Sequence, residues 1–186
     1  MKRSLIFIFV LFSLSLLLGN AQQRDSRTRL YLSPTRIVWQ QNNSQITGAD
    51  NLLRQGNGQT DLQNKYICTL KSTDKLHPAL LLDFGKELQG GLQLVSGMPA
   101  SHDPIRIRIR FGESVSEAMC DIDGKNGATN DHAMRDFIVS LPWLGVQEVG
   151  NSGFRFVRID LLDDSVELQL KEVRAIATFR DIPYKG

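Results

Sequence analysis

The chain has 186 residues, 41% of them hydrophobic and 23% charged, with 22 Lys and Arg against 20 Asp and Glu. Two of the basic residues, Lys2 and Arg3, belong to an N-terminal apolar segment, and the rest of the chain carries 20 charges of each sign. A balanced chain has no global field to gather polyanions, which argues against nucleic-acid binding, and two cysteines, Cys68 and Cys120, are too few for a disulfide scaffold.

Lys2 and Arg3 precede an apolar run, Leu5 to Leu18, broken only by Ser13 and Ser15 and followed by Gly19-Asn20-Ala21. That pattern predicts a secretory signal peptide over residues 1–21. The run is short of the roughly 20 residues that span a bilayer as a helix. The mature protein is therefore expected to be exported, to the periplasm or outside the cell, with no membrane anchor after cleavage. An oxidising compartment would permit one bridge between Cys68 and Cys120.

Residues 22–29 read as a flexible lead-in, and residues 30–180 as one domain. Leu30–Leu32 and Arg36–Trp39 predict strands on either side of a Ser33-Pro34 turn. Gln40 to Thr60 is rich in Asn, Gln and Gly and reads as a long surface connection. Tyr66–Leu70, Ala79–Phe84 and Gly91–Val95 are apolar runs of strand length, punctuated by Gly85, Gly90, Gly91 and Gly97. In "PIRIRIRFGES" the period of two puts Ile105, Ile107, Ile109 and Phe111 on one face and Arg106, Arg108 and Arg110 on the other. Its one aromatic falls on the apolar face, so the arginines read as the wet side of a half-buried strand, or as partners of nearby carboxylates. Ser114–Ile122 has room for one helical turn. Strands follow at Arg135–Leu141, Phe154–Leu162 and Val166–Phe179, the last with a phase shift between Leu170 and Val173 that predicts a bulge or a break. Eight to ten short strands without long helices predict an all-β protein, an antiparallel β-sandwich or jelly roll.

Catalytic signatures are missing. The chain has no phosphate loop and no G-x-G-x-x-G. Gly112-Glu113-Ser114-Val115-Ser116 approaches a nucleophile elbow but ends in Ser. His77, His102 and His132 lack metalloprotease spacing, so no metal site, no cofactor and no catalytic residue is assigned. Asp160 and Glu167 are expected on strand faces beside arginines. Arg155 and Arg158 flank apolar residues on a central strand, where a buried guanidinium would require a carboxylate from Asp83, Glu113 or Asp136.

Several segments carry a family resemblance. "LLLDFGKELQGGLQLVSG" (Leu80–Gly97) is similar to the D-F-G-x-x-x-x-G segment of bacterial α-L-rhamnosidases. "RIRFGESVS" (Arg108–Ser116) resembles their basic-apolar strand, and "MRDFIVSLPWLG" the segment with a D-x-Y/F pair, here with Phe137. "NSGFRFVRIDLL" resembles the G-F-R-Y/F strand, with Phe156 for Tyr, and "VRAIATFRDIPYKG" the strand that leaves toward the catalytic domain. The resemblance implies a concanavalin-like β-sandwich that precedes an (α/α)₆ catalytic barrel bearing the acid and base glutamates. Residues 181–186 would then begin the connection to that barrel, and the family's catalytic residues have no counterparts in this chain.

For ligand contact, "GATNDHAMRDF" (Gly127–Phe137) is the loop candidate: Asn130, Asp131 and His132 suit sugar hydroxyls, and Trp143 and Trp39 could stack on a sugar ring or on a neighbouring domain. The expected function is a non-catalytic accessory domain of an exported rhamnosidase-like glycosidase, with carbohydrate, a rhamnose-containing glycan, and a catalytic barrel in cis or in trans as partners. A self-standing carbohydrate-binding module and a complete small glycosidase are the alternatives.

Overall fold

The computed structural model describes residues 27–63, 65–122 and 135–180. The strands are β1 (Arg27–Leu32), β2 (Arg36–Gln41), β3 (Ile46–Thr47), β4 (Cys68–Lys71), β5 (Ala79–Ser96), β6 (Ile105–Gly112), β7 (Asp136–Leu141), β8 (Val146–Leu161) and β9 (Glu167–Arg180). One short helix, α1 (Val115–Met119), interrupts them. One compact unit spans Thr28–Phe179.

The strands form one hydrogen-bonded sheet in the order β3-β4-β9-β5-β8-β6-β7, with β1 beside β9 and β2 beside β5. The sheet makes two layers because β5 and β8 each take part in both. The first half of β5 pairs with β2 and with the end of β8, which continues to β6 and β7. The second half of β5 pairs with the start of β8 and with β9, which continues to β4 and β3. All these pairings are antiparallel.

The bend between the halves has a clear origin. Between the pairs Asp83–Phe156 and Leu88–Phe154, residues 84–87 of β5 face the single residue Arg155 of β8. Such surplus residues bend the bulged strand and increase its twist. Gly85 sits there at φ +81°, a conformation that side chains disfavour.

Alternation then builds the core. Leu80 and Leu82 of β5, Ile105, Ile107, Ile109 and Phe111 of β6, and Val157, Ile159 and Leu161 of β8 are buried together with Cys68 and Leu70 of β4, Leu92 and Leu94 of β5, and Leu168, Leu170 and Val173 of β9. At the bend, the Phe111 and Phe154 rings stack with centroids 4.6 Å apart, and Phe84 meets Phe154 edge-on at 5.7 Å.

Three sequence expectations are refined. Ala79–Phe84 and Gly91–Val95 are parts of one 18-residue strand. The Gln40–Thr60 connection contains β3 and a 3-10 turn (Ala49–Leu53) whose Leu52 is fully buried. The phase shift in β9 is a bulge: Val95 pairs with Glu172 and Ser96 with Leu170, leaving Lys171 extra. Both cysteines are free, Cys68 buried and Cys120 partly so. Among the described residues no helix is long and apolar enough to cross a membrane.

Candidate functional site

The arginines of β6 lie on the outer face of the first layer, and burial deepens along them from exposed Arg106 through half-buried Arg108 to buried Arg110. Arg110 is 4% exposed, with Nη1 bonded to Asp121 at 3.1 Å and Nη2 to Asp160 at 3.0 Å. Arg108 grips Asp136 with two donors and also reaches Asp121 at 3.0 Å. Arg158 donates to Asp160 at 2.9 and 2.6 Å and lies over the Trp39 ring, 4.9 Å from its centre. Arg106, at the exposed end, pairs with Asp163 at 2.7 Å. Of the two expected settings, wet face or carboxylate partners, Arg110 takes the second. A second small core of Leu81, Phe156 and Ala118, flanked by Trp39 and Met119, covers this face. Its roof is α1, whose start is capped by Ser114: its Oγ accepts the Glu117 N–H, while Glu117 accepts the Glu113 N–H. The serine of the elbow-like motif is thus a helix cap.

The D-F-G and G-F-R segments meet at Asp83, which is 1% exposed. Its carboxylate accepts two bonds from Arg155 (2.8 and 3.0 Å), one from Arg36 Nε (2.9 Å) and one from the Gly85 N–H (2.7 Å). Led by the Arg155 bonds, these hold the Asp83 carboxyl down at about 2 despite its burial. The pair joins residues on both sides of the bend, so these motifs are architecture. Arg158 takes Asp160 rather than Asp83, Glu113 or Asp136 as its carboxylate. Asp136 serves Arg108, and Glu113 lies 3.8 Å from Arg135.

This pattern bears on catalysis. A glycosidase acid needs a carboxyl whose pKa is raised. Asp83, Asp163 and Glu167 all move the other way. Burial opposes the shift at Asp163, but backbone and side-chain bonds from Arg106 outweigh it, and at Glu167 the bond from Lys71 leads.

Asn130, Asp131 and His132 lie outside the described residues. Trp143 is half-buried in the β7–β8 turn, its Nε1 donating to the Pro99 carbonyl at 3.1 Å and its ring 4.3 Å from that of His102. Trp39 belongs to the small outer core under Arg158. Both rings pack against their own fold, and the two share no packing cluster among the described residues.

A sizeable opening lies elsewhere. A cleft of about 450 Å³ lies between the 54–66 connection and the bulge of β9, lined by Asn51, Arg54, Gln55, Asp61, Lys65 and Tyr66 with Lys171 and Glu172 as its floor. This is within the size range of small-molecule sites. The connection is anchored from below. Gly58 donates its N–H to Glu172 at 2.9 Å, and Arg174, 3.4 Å from Glu172, spans Gln93 and the Gly56 carbonyl. Gly58 has φ +74°, and a Cβ there would fall on the Arg174 guanidinium. On the rim, Tyr66 stands at φ +57°, costly for a bulky residue, with 58% of its surface exposed. The Arg54 guanidinium lies over its ring at 3.9 Å. Sequence reading ended the connection at Thr60 and began a strand at Tyr66, whereas β4 starts at Cys68 and Tyr66 belongs to the cleft. The available signal was an aromatic, Tyr66, next to Lys65 beyond a polar stretch rich in amides.

Residues 47–177 match the sequence profile described as the glycosyl hydrolase family 78 alpha-rhamnosidase N-terminal domain. No curated protein matches the chain. A rhamnosidase from Klebsiella oxytoca, solved with rhamnose bound, aligns over 82% of this chain and 29% of its own with TM-score 0.52 and 16% identity. The family 78 rhamnosidase of Bacillus sp. GL1 aligns over 73% of this chain and 12% of its own, with TM-score 0.50 and 15% identity. The C-terminal domain of a chitobiase from Bacteroides fragilis aligns over 81% and 99%, with TM-score 0.51 and 13% identity. The chain thus spans less than a third of the rhamnosidases it resembles, and these likenesses establish the fold. With the profile covering most of its length, the chain belongs to the family 78 alpha-rhamnosidase N-terminal domains.

Proposed function

We propose that this domain is the non-catalytic accessory part of an exported α-L-rhamnosidase-like glycoside hydrolase. It buttresses an (α/α)₆ catalytic barrel, supplied in cis or in trans, and contacts carbohydrate through the cleft above β9. The observation that carries the reading is the family match over residues 47–177. The commitment of Asp83, Asp136 and Asp160 to arginines supports the absence of chemistry here. Export rests on the N-terminal apolar segment, and the mass of the protein recovered from the producing cells tests cleavage after Ala21.

The functional test uses an aryl α-L-rhamnoside. The purified chain alone is expected to give no turnover, and to raise the thermal stability of a catalytic barrel added to it. Turnover by the chain alone, abolished by replacing one of its carboxylates, would instead establish a small glycosidase. A second reading, a self-standing carbohydrate-binding module, is favoured by the cleft. Sugar binding by a monomer that leaves the barrel's stability unchanged would select it.

A further inference from the structure

The charges around the cleft are unequal in a way that names a ligand class. Among the described residues two carboxylates line it, and both are engaged. Asp61 pairs with Lys171 and accepts the Gln63 N–H at 2.9 Å. Glu172 is buried, accepts the Gly58 N–H and lies against Arg174. Among the described residues three cations line it, and Lys171 is neutralised by Asp61 while also donating to the Gln59 carbonyl at 2.8 Å. Arg54 and Lys65 remain, neither joined to a carboxylate among the described residues.

The setting of Arg54 matters as much as its charge. Its guanidinium lies over the Tyr66 ring, which orients the plane and leaves the N–H edge without a partner among the described residues. A planar guanidinium presents a fork that matches a carboxylate with two parallel hydrogen bonds. An ammonium such as Lys65 adds charge without direction. Gln55 and Asn57, which also line the cleft, suit hydroxyl groups. Together they make one bidentate anion position, one diffuse positive charge and uncharged hydroxyl partners beside an exposed aromatic.

Resting on the reading of the cleft as a carbohydrate site, we propose that it selects acidic glycans, taking a uronic-acid residue with its carboxylate on Arg54 and near Lys65. The ring of that sugar lies against the exposed part of Tyr66, and its hydroxyls meet Gln55 and Asn57. A neutral sugar would leave two cations without a partner and gain only the hydroxyl contacts.

Calorimetric titration of the full chain with trigalacturonate, with its fully methyl-esterified form and with rhamnose tests this. The expected result is binding of trigalacturonate that weakens with added salt, and binding of the ester weaker by about tenfold or more, the loss of one charge-assisted contact. Arg54→Gln should weaken trigalacturonate by a similar factor, and Lys65→Gln by less, with unchanged circular dichroism. Equal binding of the acid and its ester, or of rhamnose, would overturn the acidic selectivity and leave the carbohydrate reading standing. Full-strength binding by the Arg54→Gln, Lys65→Gln double variant would place the ligand elsewhere and overturn the site. Failure of all three sugars to bind would overturn both readings and point to the cleft as a contact for the catalytic barrel.

Discussion

Replacing Asp83 by Asn removes one charge and one acceptor from the bend while keeping its shape. The folded protein holds this carboxyl at about 2 instead of its ordinary 3.8. Because the folded value is depressed, the stability it contributes is complete above pH 4–5 and is lost as pH falls through about 2. At neutral pH the contribution is about 2.5 kcal/mol; about half of it remains at pH 3 and only a few tenths at pH 2. The Asn side chain would also turn an amide toward Arg155 or Arg36, so this is a lower bound; breaking a buried pair costs about 3–5 kcal/mol. Urea unfolding of both proteins, followed by circular dichroism from pH 7 to pH 2.5, measures the gap directly. A neutral-pH loss of at least about 2.5 kcal/mol, near 5–10 °C in Tm for a domain of this size, is expected to narrow in acid. An equal Cm at pH 7, or a gap that does not narrow below pH 4, would refute the reasoning.

Asp160→Ala leaves Arg110 and Arg158 short of a carboxylate on a dry face and should cost about 3–5 kcal/mol in urea unfolding. Arg110→Met should cost clearly less, because Asp160 keeps Arg158 and Asp121 keeps Arg108. Gly58→Ala forces a left-handed alanine against Arg174 and should cost about 1–2 kcal/mol, with faster proteolytic cleavage between residues 54 and 66. Burial pushes the Cys68 thiol up from 9.0 to about 12, so stability should fall as pH rises above about 9, where the unfolded thiol ionises. A thiol reagent at pH 8 should label Cys120 first and Cys68 only after unfolding.

The strands were legible wherever one face alternates with the other. The Ile and Arg residues of β6 announce a half-buried strand, and the phase shift after Leu170 announces the bulge at Lys171. Local pattern failed where distant residues decide. Gly85 punctuates the apolar run after Phe84, yet β5 continues through it, and Arg155, 72 residues after Asp83, reaches back to that carboxylate. For Arg110 the pattern left open water or a carboxylate partner; the choice is made by Asp121, Asp160 and the α1 roof, which no local window contains. The cleft depends on Gly58 meeting Glu172 across 114 residues, a closure that no window along the chain contains. The tryptophans drew attention as sugar platforms because of their size. In the fold Trp39 fills a core and Trp143 holds a turn, while the aromatic exposed at the cleft is the smaller Tyr66.

The passage of β5 and β8 through both layers limits where this architecture can vary. A residue gained or lost inside either strand would slip the pairing of both layers at once, so length changes are confined to the connections. The 54–66 segment is one that touches the folded body mainly through a few anchoring bonds to β9. Relatives could therefore exchange that strip of chain, and with it the ligand they accept, without redrawing the frame beneath it.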